Sequence, residues 1–141
     1  MDDENIVTEP VTNDPTPEPI PVSNNDSILG SIRKKLGGEL FPNPSDSSPF
    51  DDELIMDINS ALLILTQLGI GTKGFVVIDY SQTWDDFFGE SRTDMELVKT
   101  DVYLRVRLMF DPPTSSTLTG VINDQIREYE WRLQTRAEFN A

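Results

Sequence analysis

Two adjacent prolines, Pro112 and Pro113, divide the C-terminal half of the chain into two long runs of helical periodicity. Neither proline can donate a backbone hydrogen bond, and Pro112 disfavours helical backbone at Asp111. Apolar residues recur at helical spacing from about Thr93 to Phe110, and again from Ser115 or Ser116 to about Ala137. The sequence therefore predicts two antiparallel helices joined by a structural turn at Asp111, Pro112 and Pro113.

Two local side-chain pairs are predicted in the first of these helices. Thr93 and Glu96 have the spacing of a capping box at its start. Asp101 and Arg105 are four residues apart, so they are predicted to form an ion pair on one face of the helix.

Two further helices are predicted upstream. A short one follows a Ser27 cap and ends at Gly37, and a longer one runs from near Asp51 to Leu68. The longer helix is apolar on most faces, which is typical of a central helix or of one that a partner covers. Phe75 to Ile78 is predicted to form a short strand and Thr83 to Phe88 a capped helical turn. The predicted fold is all-α, a small bundle of about four helices with a short strand or hairpin between the second and third.

The first 26 residues differ in composition from the rest of the chain. They contain seven carboxylates and five prolines but no lysine or arginine. Proline and like-charge repulsion both oppose a packed fold, so residues 1–26 are predicted to be an extended or disordered arm. Residues 27–141 are predicted to be the helical domain. The arm is either a solubilising tail or a segment that lies along a neighbouring subunit.

Charge and residue types narrow the possible chemistry. The net charge is −14, and the chain contains no cysteine and no histidine. Thiolate and imidazole chemistry are therefore excluded, and a chain this acidic is a poor non-specific DNA binder. We interpret Asp51-Asp52-Glu53 and Asp85-Asp86 as first-turn acids that complement the helix dipole, although a carboxylate-dependent metal hydrolase is the alternative. No enzyme activity, cofactor or metal site is expected.

The basic triplet Arg33-Lys34-Lys35 lies in the last predicted turn of the first helix. Cations there complement the helix dipole and are usually solvated, and the alternative is a small patch that contacts an anion. The N-terminus begins with acidic residues, unlike a signal peptide, and the longest apolar stretch, Ala61 to Leu65, is too short to span a bilayer. We therefore expect synthesis in the cytoplasm.

Several segments carry a family resemblance. The most specific runs from Lys99 to Ser116 and includes the sequence DVYLRVRLMFDPPTSS, and it is supported by Gln125 to Leu133, Ile58 to Ser60 and Gln67 to Gly71. Over roughly residues 27–135 the chain resembles the head–tail connector, or neck adaptor, proteins of tailed bacteriophages. The acidic arm is not a usual part of that pattern.

The resemblance implies a structural virion protein with no catalysis. Such proteins form a ring, usually of twelve subunits, below the portal, and they bind a stopper or tail protein beneath while genome DNA passes through the lumen during packaging and ejection. It implies location in the virion neck, and in the host cytoplasm during assembly. The alternative is a small acidic regulatory protein that binds a host protein as a DNA mimic, which would carry its acids on one rigid face.

The candidate protein interface lies at the C-terminal end, from about Arg127 to Ala141. Trp131 lies off the apolar stripe of the last helix, and three further candidates follow it: Arg132, Arg136 and Phe139. Tryptophan and arginine often dominate protein interfaces because they combine large contact areas with directed hydrogen bonds. The sequence therefore predicts a portal contact here, and the alternative is a frayed end with Trp131 folded back on the bundle.

Overall fold

The computed structural model describes residues 27–37, 48–89 and 93–140, with the helical backbone alone for residues 137–140. The described residues form five helices and no strand, which confirms the all-α fold. In chain order they are α1 (Ile28–Leu36), α2 (Asp51–Gln67), α3 (Trp84–Phe88), α4 (Met95–Phe110) and α5 (Ser116–Asn140). The arm at residues 1–26 lies outside the described residues.

The core surrounds α2, which packs against α4 and α1. Its inward stripe of Leu54, Ile58, Ala61, Leu62 and Leu65 is buried because these residues recur every three or four positions. α4 contributes Val98, Val102 and Val106, and α1 contributes Ile28, Leu29 and Ile32. Trp84 of α3 is fully buried, and its Nε1 donates to Ser31 Oγ at 2.9 Å. One apolar core therefore joins the first four helices.

The predicted strand at residues 75–78 is wrong. This segment is irregular, and it lies beside α2 rather than beside another strand. The side-chain amide of Asn59 takes the place of a strand partner: Nδ2 donates to the Val77 carbonyl at 3.0 Å, and Oδ1 accepts from the Val77 N–H at 2.8 Å. Val77 is buried while Val76 and Ile78 are exposed. The apolar run that suggested a strand is therefore an irregular segment held by one helix side chain.

The glycine-rich turn after α2 depends on Gly71. Its φ of +84° lies in the left-handed region, and a Cβ atom there would lie 2.2 Å from the ring of Phe87. The next residue also contacts Phe87: the Thr72 N–H donates to the Phe87 carbonyl at 2.9 Å, which ties the turn to α3. The turn thus brings the 69–89 segment against the core through α3.

Helix termini match the predictions in part. α3 begins with the expected cap, because Thr83 and Asp86 form a reciprocal capping box. The capping box predicted at Thr93 is wrong: α4 begins at Met95 after Asp94, with no side-chain cap bond. Thr93 Oγ1 instead accepts a hydrogen bond from Arg136 of α5. A tertiary contact therefore replaces the local one.

Candidate interaction surface

α5 is the longest described helix, yet it buries little of its surface. Ser115 caps its start, since the Leu118 N–H donates to Ser115 Oγ at 3.2 Å. Ile122 and Leu133 are buried against the bundle, whereas Leu118 and Val121 are exposed apolar side chains. A 25-residue helix that packs along one narrow stripe leaves most of its surface available to other molecules.

A charged triad attaches α5 to α4. Arg105 Nε donates to Asp101 Oδ2 at 2.8 Å, and Arg105 Nη2 donates to Glu130 Oε2 at 3.0 Å. Burial raises the pKa of Asp101, whose side chain is fully enclosed, and the hydrogen bond from Arg105 opposes that rise. The predicted i, i+4 pair of Asp101 and Arg105 is thus present. The additional contact of Arg105 with Glu130 of α5 was not predicted.

Trp131 projects away from the bundle. It is 67% exposed, so its ring does not fold back on the bundle. Arg132 beside it is also exposed, and its Nη2 lies 2.7 Å from Glu128 Oε2 on the preceding turn. Exposed pairs of this kind contribute little to stability. Trp131 and Arg132 can therefore contact another molecule without loss of the fold.

The other two candidate residues differ from this pair. Arg136 is exposed but donates to Thr93, so it also holds α5 to the start of α4. Phe139 lies in the helical backbone of α5, and its side chain is outside the described residues. Trp131 and Arg136 border an open groove of about 300 Å³ whose remaining walls are Asp94, Leu97, Arg132, Leu133 and Thr135. The groove combines one exposed aromatic ring with a charged rim.

The turn at Asp111, Pro112 and Pro113 lies between α4 and α5. α4 ends at Phe110, whose ring meets Phe50 edge-on at 5.9 Å between centroids. Asp111 and Pro112 are exposed, and Pro113 is half-buried. The turn therefore begins where the aromatic pair closes one end of the bundle.

A second apolar surface lies on α2 and the segment beside it. Met56 and Leu63 are exposed at i and i+7 of the helix, on either side of the position of Asn59. Val76 and Ile78 are exposed on the segment that Asn59 binds. The sequence signal was the apolar character of α2 on most faces. In the structure, the apolar residues of α2 outside its buried stripe include Met56 and Leu63 at the surface.

The acidic clusters have structural roles. Asp51 Oδ2 accepts from the Ser48 N–H at 2.9 Å, and Asp86 belongs to the capping box of α3. Across residues 27–37, 48–89 and 93–140, no group of three or more acidic side chains is arranged to hold a metal ion. Within the same ranges, no helix combines the length and apolar character that crossing a membrane requires.

The basic triplet of α1 divides into buried and exposed residues. Arg33 is 1% exposed, its Nη1 lies 3.4 Å from Asp51 Oδ1, and it donates to the hydroxyl of Tyr80. The interpretation of Arg33 as a solvated cation is therefore wrong. Lys34 and Lys35 are exposed, and Lys35 Nζ lies 5.2 Å from the ring centroid of Tyr103. No local sequence signal distinguishes Arg33 from its neighbours, because its partners come from distant segments.

The chain belongs to the phage connector protein family, since that family model matches residues 28–140. The match covers all five helices and excludes the acidic arm. Comparison with curated proteins and comparison with solved structures return no match. The protein is thus a bacteriophage head–tail connector, a structural component of the virion that interacts with other head or tail proteins.

Proposed function

We propose that the protein forms a ring below the portal and connects it to a stopper or tail protein. Family membership supports the connector role, and the exposure of α5 carries the proposal of a contact surface. A subunit in a ring needs surfaces for its neighbours as well as for the portal. A second apolar patch lies on α2 and the segment beside it, formed by Met56, Leu63, Val76 and Ile78. The contact with a neighbouring subunit and the contact with the portal can therefore use different faces.

The portal contact lies in the C-terminal half of α5, around Trp131 and Arg132. Trp131 is held on a helix that Arg105 and Leu133 anchor to the bundle, so its position is set before binding. A pre-positioned aromatic side chain loses little conformational freedom on binding. The turn at Asp111, Pro112 and Pro113 fixes the chain reversal between α4 and α5, and so it sets the direction of α5.

The lumen of the ring serves as a passage for genome DNA without specific binding. A net charge of −14 per subunit gives the assembly a strongly negative field. Carboxylates facing a lumen repel phosphates, so DNA slides instead of adhering. No catalysis is assigned to the protein, and residues 27–141 act as one connector domain.

Negative-stain images of the purified protein mixed with its portal test the connector proposal. We expect a ring on one face of the portal, and we expect the isolated protein to associate weakly in sedimentation. A tight dimer whose mass does not change with concentration, together with bare portals, would contradict the proposal. That pair of results would instead favour the alternative of a small acidic regulatory protein.

A further inference from the structure

We propose that the acidic arm, residues 1–26, docks on a cationic patch of its own subunit formed by Lys34, Lys35, Lys99 and Arg107 around Tyr103. The family match excludes the arm, and no role for it follows from the connector function. The proposal concerns contacts within one subunit, so it stands whether or not the ring and portal contact are correct.

The patch is built from α1 and α4, which pack together. Lys99 and Arg107 lie one helical turn before and after Tyr103, so the three residues share one stripe of α4. Lys35 reaches this stripe from the end of α1, with Nζ 5.2 Å from the Tyr103 ring centroid, and Lys34 is its exposed neighbour. Two helices thus bring four cations together.

These cations contrast with four of the five arginines elsewhere in the described chain; the fifth, Arg136, donates to the hydroxyl of Thr93. Arg33, Arg105, Arg127 and Arg132 each pair with a carboxylate. At the patch, Lys99 pairs with the exposed Glu96 at 3.2 Å, but Lys34 and Lys35 pair with no carboxylate among the described residues. In a chain of net charge −14, this excess of positive charge favours a polyanionic occupant.

The arm matches that requirement in charge. It carries seven carboxylates and no basic residue, at Asp2, Asp3, Glu4, Glu9, Asp14, Glu18 and Asp26. Its five prolines restrict the free backbone, which lowers the entropy lost when the segment is held on a surface. Complementary charge at several positions favours docking without a single deep pocket.

The tether favours the arm of the same subunit. The arm joins α1 at Ser27, and the nine residues of α1 span about 14 Å to the lysines at its end. An extended chain covers that distance in about four residues, so Glu18 and Asp14 can reach the patch. A short tether provides an effective concentration on the order of millimolar, far above that of a second subunit in dilute solution.

Amine acylation followed by mass spectrometry tests the docking in the full chain. The comparison is with a full-length variant in which the seven arm acids are neutralised, Asp→Asn and Glu→Gln. We expect Lys34 and Lys35 to react several-fold more slowly in the natural chain, and we expect this protection to vanish near 1 M salt, where screening acts within about 3 Å. Lys73, in the glycine-rich turn, is the matched control and should react equally in both chains.

Equal acylation of Lys34 and Lys35 in the two chains at low salt would overturn the proposal. The salt series on the natural chain provides an independent test if the variant fails to fold, because unchanged rates from low to high salt also overturn the proposal. Carbodiimide cross-linking of a mixture of heavy-isotope and light chains identifies the source of the arm. Arm-to-Lys35 cross-links within one isotopic chain support the proposal, and cross-links that join heavy to light chains overturn it.

Discussion

The bundle formed by α1 to α4 and the long helix α5 use their apolar residues differently. The bundle buries a continuous set of large side chains that includes Trp84, whereas α5 buries Ile122 and Leu133 and leaves Trp131 exposed. Burial of large apolar side chains is the main source of folding free energy. The first region therefore stabilises the subunit, and the second leaves most of its surface exposed, as the proposed portal contact requires.

The two tryptophans give the sharpest comparison of the regions. Trp84→Ala removes a fully buried ring and the N–H that donates to Ser31 Oγ, so we expect a loss of about 3–5 kcal/mol in the free energy of unfolding. Trp131→Ala should change that free energy by less than about 0.5 kcal/mol, as surface substitutions usually do. Urea unfolding followed by circular dichroism measures both. Similar losses in the two variants would show that α5 contributes to the core as strongly as the bundle does.

Arg105→Ala tests how α5 is attached. The substitution leaves Asp101 enclosed without its cationic partner, and it also breaks the contact with Glu130. We expect a loss of about 2–3 kcal/mol, below the roughly 3–5 kcal/mol of a fully buried pair because Glu130 is partly exposed. Arg127→Ala is the control, since its pair with Asp124 is exposed and should be worth less than about 1 kcal/mol. Equal effects on thermal unfolding would argue that the triad is not an anchor.

Gly71→Ala tests the turn that brings α3 to the core. An added Cβ would meet the Phe87 ring at 2.2 Å and would also adopt an unfavourable positive φ, for a loss of roughly 2 kcal/mol. Gly74→Ala is matched in φ but has open space around it, so its loss should be about 1 kcal/mol. Chemical unfolding measures the difference. A larger loss at Gly74 than at Gly71 would be inconsistent with close packing at Phe87.

The sequence predicted local features more completely than tertiary ones. Apolar periodicity located the four longer helices, and the capped turn predicted from Thr83 located α3, because both signals lie within a few residues. The strand predicted at residues 75–78 was wrong because a short apolar run after a turn cannot reveal that Asn59 supplies the backbone partner. The same limit applies at Thr93, whose partner Arg136 is 43 residues away.

The candidate surface was predictable to a similar extent. Trp131 could be assigned to the outside of α5 because its position departs from the apolar stripe. The cationic patch could not be assigned, since Lys35 and Tyr103 come together through the packing of α1 on α4. Spacing along one helix thus predicts which side chains share a face, and packing decides which faces combine.

Replacement of both Pro112 and Pro113 by alanine should cost less stability than Trp84→Ala, Arg105→Ala or Gly71→Ala. Each proline restricts the unfolded chain, so the double variant should lose on the order of 1–2 kcal/mol, and α4 should extend past Phe110 or aim α5 differently. Thermal unfolding and ring formation on the portal are the measurements. Unchanged stability together with unchanged assembly would show that the turn does not fix the position of α5.

The occupancy of portals by a chain truncated after Leu133 tests the central claim most directly. The truncation retains Trp131 and Arg132 but removes Arg136, Phe139 and the end of α5, and the Trp131→Ala chain is measured beside it. If the C-terminal half of α5 is the portal contact, both chains should keep a helical circular dichroism spectrum yet leave most portals bare in negative-stain images. Normal decoration of portals by both chains would contradict the account and would move the contact elsewhere, with the Gly69 to Gly74 turn as the next candidate.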